Sequence, residues 1–305
     1  MNPARQMTTA STNLVHPTVF ERQRPRLFGI AYRMLSSVQD AEDIVQDAYV
    51  RWQQADPLAL RAPEGWLVAV TTRLAIDRLR RALTERQSYV GEWLPEPLVT
   101  APGPTAEHAS ERASDLSVAF LLLLERLGPE ERAAFLLRDV FDRGYDEIGD
   151  VVGRSAAAVR QMVHRARERV RDGERRAPVA PGEKVALWRR FVEALRADDE
   201  QALLGLMAPQ VRMISDGGGK VAAARRSVEG ARRVVAYVRG VQRRWQSYTD
   251  SRIDRLNGEP ALITWREGRV YSMTWIDVED GRITGFFRVL NPDKLRHASA
   301  AVGVR

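Results

Sequence analysis

The side chains best suited to reading another molecule lie between Tyr145 and Arg171. Arg160, Gln161, His164 and Arg165 recur at spacings that place them on one side of a helix, and Arg167, Arg169 and Arg171 follow. A guanidinium bonds a guanine edge in bidentate fashion, and a carboxamide does the same for adenine. Arginines further along such a helix reach phosphates. A second set lies nearer the N-terminus. Glu42, Asp43 and Asp47, following Asp40, make an acidic face, and Arg73, Arg78, Arg80 and Arg81, with Asp77 among them, make a basic one.

The elements that must position these groups are legible in the same stretches. Ile148 and Val152 lie one turn apart, Gly149 is small where a second element crosses closely, and Gly153 suits a left-handed helix end. Ser155 fits an N-cap, and Val159, Val163 and Ala166 form the inner face of the next helix. This spacing predicts a helix-turn-helix. Its support is the apolar face of Leu127, Ala134, Leu137 and Phe141, with Pro129 in a first helical turn. An ordinary helical hairpin with a solvated arginine face is the alternative. Asp40 can cap the acidic helix, which buries Ala41, Ile44, Val45, Ala48 and Trp52. Its outer carboxylates either match the helix dipole and solvate it or dock a basic protein. In the basic helix Trp66, Val70, Leu74 and Leu79 point inward. The loop Asp56–Gly65 before it could hold an unstacked base.

Composition narrows the classes. The 305 residues are 44% hydrophobic and 29% charged, as in a globular protein of two or three domains. The net charge of +7 suits an anionic partner, although arginine codons from a GC-rich genome explain much of it. Lysine occurs only at Lys184, Lys220 and Lys294. Cysteine is absent, which excludes disulfides, thiol catalysis and cysteine-bound zinc. The four histidines are too scattered for a histidine-built metal site; no cofactor is expected, and the chain is not expected to be an enzyme. No apolar run reaches membrane-spanning length and no secretory leader is visible, so a cytoplasmic protein is expected.

Proline and glycine mark the boundaries. The plan is a flexible tail (1–17), a helical domain (18–90), a proline-rich linker (91–111), a helix-turn-helix domain (112–176), a hinge (177–183), an α+β domain (184–297) and a tail (298–305). In the last domain, helical stripes precede the strands Ala261–Arg266, Val270–Asp277 and Ile283–Leu290. Antiparallel pairing follows from turns at Glu267-Gly268 and Asp280-Gly281. The predicted fold is multidomain: two all-α domains followed by helices on one curved sheet, a cone.

Together these motifs resemble the sigma-70 family of RNA polymerase sigma factors, in its extracytoplasmic-function (ECF) branch. Asp40 to Tyr49 resembles region 2.2, which implies a contact with the β′ clamp helices of core RNA polymerase through Asp40, Glu42, Asp43 and Asp47. Trp66 to Arg81 resembles regions 2.3 and 2.4, which implies −10 promoter contacts by Arg73, Asp77, Arg80 and Arg81. Tyr145 to Arg167 resembles region 4.2, which implies −35 contacts by Ser155, Arg160, Gln161, His164, Arg165, Arg167 and Arg169, near the β flap. Gly149 replaces the usual Ala, and Gln161 stands where many relatives carry Ser.

The C-terminal extension resembles the SnoaL-like (NTF2-like) cone, and the whole chain resembles ECF factors that carry one. Three segments bear that likeness: Trp93-Leu-Pro95-Glu-Pro97, Asp216-Gly-Gly-Gly-Lys220, and Asn291-Pro292-Asp293-Lys294. The resemblance implies regulation in cis by contact among them, with no separate anti-sigma factor required and an unknown small ligand as a possible occupant of the cone. Two further readings stand beside it. One is a SnoaL-like enzyme with a DNA-binding leader, using Asp216 as acid or base. The other is a helix-turn-helix regulator that works without polymerase.

Overall fold

The computed structural model describes residues 3–56, 60, 62–99, 116–171, 179–245 and 249–303. The helices in chain order are α1 (Pro3–Leu35), α2 (Val38–Gln54), α3 (Pro63–Arg86), α4 (Val118–Leu124), α5 (Pro129–Phe135), α6 (Tyr145–Val152), α7 (Ala156–Arg171), α8 (Pro181–Arg196), α9 (Glu200–Leu206), α10 (Ala231–Trp245) and α11 (Pro292–Val302). The strands are β1 (Met207–Asp216), β2 (Val228–Glu229), β3 (Thr249–Leu256), β4 (Glu259–Arg266), β5 (Arg269–Glu279) and β6 (Arg282–Val289). Two compact units result. Met1–Glu85 joins Leu124–Arg171, and Arg86–Leu123 joins Asp172–Arg305. Both helical stretches predicted as separate domains therefore share one unit, and the start of the linker belongs with the sheet.

In the helical unit, α2 buries Val38, Ala41, Ile44, Val45, Ala48 and Trp52, the stripe its spacing predicts. Ser37, rather than Asp40, caps it, accepting from the Asp40 amide at 3.2 Å. Asp40 already lies inside the first turn, so its carboxylate is left for Arg78, at 2.8 Å. The helical run also reaches back to Pro3, into residues read from the sequence as a tail; Pro3 fits a first helical position, and no glycine interrupts the run before Gly29. The predicted support helix is divided. α4 ends at Leu124 and α5 begins at Pro129, followed by a π-helical turn, Leu136–Val140. Arg132 has no exposed side-chain surface and donates to the Met34 carbonyl at 2.7 Å and to Glu125 at 3.1 Å. A buried guanidinium is tolerable only with such partners, so this residue pins the end of α1 to the start of the helix-turn-helix region.

The second unit is built on a six-stranded sheet of order β2-β1-β6-β5-β4-β3. β1 and β6 are parallel, and every other pair is antiparallel. The tight turns Asn257-Gly258, Glu267-Gly268 and Asp280-Gly281 all have two positive φ angles, the geometry of type I′ hairpins. Register shifts in β4 and β5 curve the sheet. One face packs on α8, α9 and α10 through Trp188, Phe191, Val234, Ile276 and Phe286. The other face carries Trp265, Met273, Trp275, Phe287 and Val289, and Leu94, Val118 and Leu295 cover it. Both faces are therefore dry, which is why β6 reads as a near-continuous buried run rather than an alternation. The segment 298–302, expected as a tail, is the end of α11, with Ala298 buried. Asn291 caps that helix, Pro292 starts it, and Gly303 ends it. α8 begins at Pro181, so the last residues of the predicted hinge are helical.

Candidate nucleic-acid interface and linker clasp

The helix-turn-helix takes the geometry its sequence dictates. α6 ends at Gly153, with φ 69° and ψ 40°. The Ser155 hydroxyl accepts the Ala158 amide at 3.3 Å, and α7 buries Val159, Val163, Ala166 and Val170. A Cβ on Gly149 would lie 2.5 Å from the Arg154 carbonyl oxygen. The turn, not a crossing helix, is what demands glycine here. Opposite the buried stripe, Arg160, Gln161, His164 and Arg165 are all exposed. Arg160 lies 5.1 Å from the Tyr145 ring centroid, and His164 lies 3.5 Å from Glu168. Arg167 instead makes a fork to Asp139, and Arg169 pairs with Glu131 at 2.5 Å. These two arginines, expected at phosphates, are thus held by carboxylates of the same unit.

On α2, Glu42, Asp43 and Asp47 are exposed, while Asp40 is half-buried against Arg78. On α3, Arg73, Asp77, Arg80 and Arg81 all face outward. Arg73 donates to the Asp150 and Val151 carbonyls at 2.6 and 3.3 Å, at the end of α6 where the helix dipole is negative. Arg80 pairs with Asp77 at 2.9 Å and also with Glu130. Parts of the Asp56–Gly65 loop, residues 57–59 and 61, lie outside the described residues, as do residues 100–111 of the linker and 112–115 after it.

In the second unit, the three segments singled out by sequence meet at Asp216, a side chain with no exposed surface. One carboxylate oxygen accepts the Tyr89 hydroxyl at 2.5 Å and the Gly218 amide at 3.1 Å. The other accepts the Leu94 amide at 2.9 Å and the Lys294 ammonium at 2.6 Å. Lys294 also donates to the Leu94 carbonyl at 2.6 Å, 4.1 Å from the Trp93 ring centroid and 5.0 Å from that of Tyr89. Burial pulls the lysine down to about 8, against the opposing attraction of Asp216. Burial, with Asp216 beside it, pushes the Tyr89 phenol above its ordinary range. Asn291 caps α11 through its oxygen and donates its amide to Tyr89 at 2.9 Å. Lys220 pairs with Asp293 at the surface. Gly218, at φ +58°, leaves no room for a Cβ beside Asn291. Pro95 and Pro97 are buried, and Val99 bridges antiparallel to Leu256. Asp216 faces the linker side of the sheet, so it is remote from the interior of the cone where an acid or base would have to stand.

Sequence reasoning missed three participants. Tyr89 shares Asp216 and Asn291, Arg86 stacks 3.5 Å from the Trp93 centroid, and Asn257 exchanges hydrogen bonds with Leu98 at 3.0 and 2.7 Å. The Tyr89/Trp93 pair, two aromatics four residues apart, was the available signal for the first.

Residues 19–84 match Sigma-70 region 2, and residues 117–170 match Sigma-70, region 4. The ECF RNA polymerase sigma factor SigJ of Mycobacterium tuberculosis is 35% identical over 292 residues, covering 90% of this chain and 91% of that one. The chain belongs to the ECF sigma factors. It is a promoter-directing subunit of RNA polymerase, a transcription factor rather than an enzyme by its family. The crystal structure of SigJ superimposes on this sigma factor with a TM-score of 0.73 at 33% identity, covering 91% of this chain and 97% of that one. The probable ECF sigma factor SigI of the same organism is 29% identical over 283 residues, 92% of this chain and 94% of that one. The C-terminal unit is thus shared with relatives along nearly their whole length. Among the described residues no helix is long and apolar enough to cross a membrane.

Proposed function

We propose that this sigma factor reads the −35 element with the solvent face of α7 and the −10 element with α3, and that its C-terminal unit regulates it in cis by holding the linker. The observation carrying the DNA reading is the row Arg160, Gln161, His164 and Arg165, exposed on a helix whose opposite face is buried. Ser155 at the helix start would reach a phosphate, as helix N-termini do. Glu42, Asp43 and Asp47, exposed beside the partly committed Asp40, suit docking on a basic helical surface of core polymerase, the β′ clamp helices in the family pattern.

Arg73 and Arg80 are bonded to α6 and to Glu130 within the helical unit, and Arg167 and Arg169 to Asp139 and Glu131. For these side chains to meet DNA, those surface pairs must open. Exposed ion pairs contribute only about 0–1 kcal/mol each, so polymerase and promoter phosphates can displace them. The expected result is that the chain alone binds promoter duplex poorly and that core polymerase relieves this.

The cis-regulatory reading rests on Asp216, a buried carboxylate whose partners include the linker's Leu94 amide and Tyr89. Leu94, together with Val118 and Leu295, also covers the apolar sheet face. Lys294→Met should release the linker, seen as a change in tryptophan fluorescence that a Trp93→Phe background removes, and alter run-off transcription in a reconstituted system with core polymerase. Linker release without any change in transcription would refute cis control; a requirement for an added anti-sigma protein to restrain the wild type would refute its sufficiency.

A further inference from the structure

The interior of the cone holds a second, unrelated feature. Between α8, α10 and the sheet lies a cavity with mostly apolar walls. Its walls are Trp188, Phe191, Phe286 and Leu262, and it also exposes Thr274 and Arg288. Arg288 and Phe286 are two apart on β6, so they share the helix-covered face, whereas Phe287 and Val289 pack on the linker side. Arg288 makes no ion pair among the described residues. It donates to the Ser272 hydroxyl at 3.2 Å and lies 5.7 Å from the Tyr271 ring centroid. Burial lowers its pKa, with no carboxylate to offset that, yet a guanidinium stays charged. Beside it in register on β1 is Ser215, buried, with a hydroxyl that has no hydrogen-bond partner.

Arg288 is half-buried, and a charge partly withdrawn from water among apolar walls is favoured by a counter-charge. The arginines elsewhere in this unit that lie near acids take them: Arg239 pairs with Asp198 and Glu200, and Arg252 with Asp254. Among the described residues Arg288 is the one charged side chain lining the cavity. Among the described residues no Asp, Glu or His lines that cavity, so its described lining offers neither a partner for the arginine nor a group for acid–base chemistry. We infer that the cone binds an apolar monocarboxylate, its carboxylate forked on Arg288 and its hydrocarbon body between Trp188, Phe191, Phe286 and Leu262. A planar guanidinium matches a carboxylate in bidentate fashion. A phosphate would call for a second cation or a helix N-terminus, and the lining supplies neither. Thr274, Arg288's register partner on β5, is placed to donate a further hydrogen bond.

The test is calorimetric titration of the full-length chain with naphthalene-2-carboxylate and with its uncharged amide. The carboxylate should bind roughly tenfold or more tightly than the amide, the size of a charge-assisted hydrogen bond. Arg288→Met should erase that preference, and without probe it should melt at or above the wild-type temperature, since an uncompensated charge has gone. Val241→Trp, which fills the cavity from α10, should lose both probes. Absence of carboxylate binding to wild type, equal affinity for acid and amide, or an undiminished preference in Arg288→Met would each overturn the assignment. The readout is binding alone, so its failure leaves the promoter reading untouched.

Discussion

In the helical unit Arg160 and Arg165 of α7 stand in solvent opposite a buried stripe of Val159, Val163, Ala166 and Val170. In the C-terminal unit, Lys294 is enclosed by Trp93 and Tyr89, and Asp216 has no exposed surface. The contrast separates two uses of charge. An exposed guanidinium contributes little to folding and is free to recognise a partner, so its replacement should change function and leave stability alone. An enclosed ion pair is bound into the fold, and breaking it should register first as stability and only through that as regulation.

The largest effect should come from the enclosed pair. Lys294→Met strands Asp216 as a buried anion and should lower the stability of the C-terminal unit by about 3–5 kcal/mol, read from its denaturant transition. A much smaller loss would mean that the Leu94 and Gly218 amides satisfy the carboxylate by themselves. The same residue carries a pH signature. Its folded pKa of about 8 lies below the ordinary 10.5, so the unfolded chain holds the extra proton between those values. Wild type should therefore gain stability relative to Lys294→Met as pH rises through that window. A flat difference would contradict the enclosure of the ammonium.

Next in size is the turn of the helix-turn-helix. Gly149→Ala brings a methyl within 2.5 Å of the Arg154 carbonyl and should destabilise the helical unit by about 1–3 kcal/mol, measured by its thermal transition. Unchanged melting would show that the turn relaxes freely. Arg160→Ala should lower promoter discrimination by about 1–3 kcal/mol without moving either unit's melting temperature. A stability loss there would break the distinction between exposed and enclosed charge. The smallest effect belongs to Arg167→Ala, which removes a half-exposed pair with Asp139 and should alter stability by no more than about 1 kcal/mol, seen as a shift of the helical unit's denaturation midpoint.

The same contrast explains what could be read before any coordinates. The helix-turn-helix is specified locally: Gly153, Ser155 and a 3.6-residue stripe each act within a few residues of their own position. The ECF resemblance and the plan of two helical regions plus an α+β cone followed from such segments. β3 escaped notice although Asn257-Gly258 is a strong hairpin signal. The strand is an edge strand carrying Asp250, Arg252, Asp254 and Arg255, so its apolar alternation is faint. The parallel pairing of β1 with β6 joins distant stretches and has no local mark. The clasp was legible only as three segments. That Tyr89 and a backbone amide complete it depends on how the linker lies along the sheet, and periodicity carries no trace of that.

Footprinting of a −35/−10 promoter by core polymerase carrying this chain bears most directly on the assignment. Wild type should protect the −35 region, and the paired variant Arg160→Ala/Gln161→Ala should lose that protection while still co-purifying with polymerase. Full −35 protection by that variant would contradict the reading of α7 as the recognition helix.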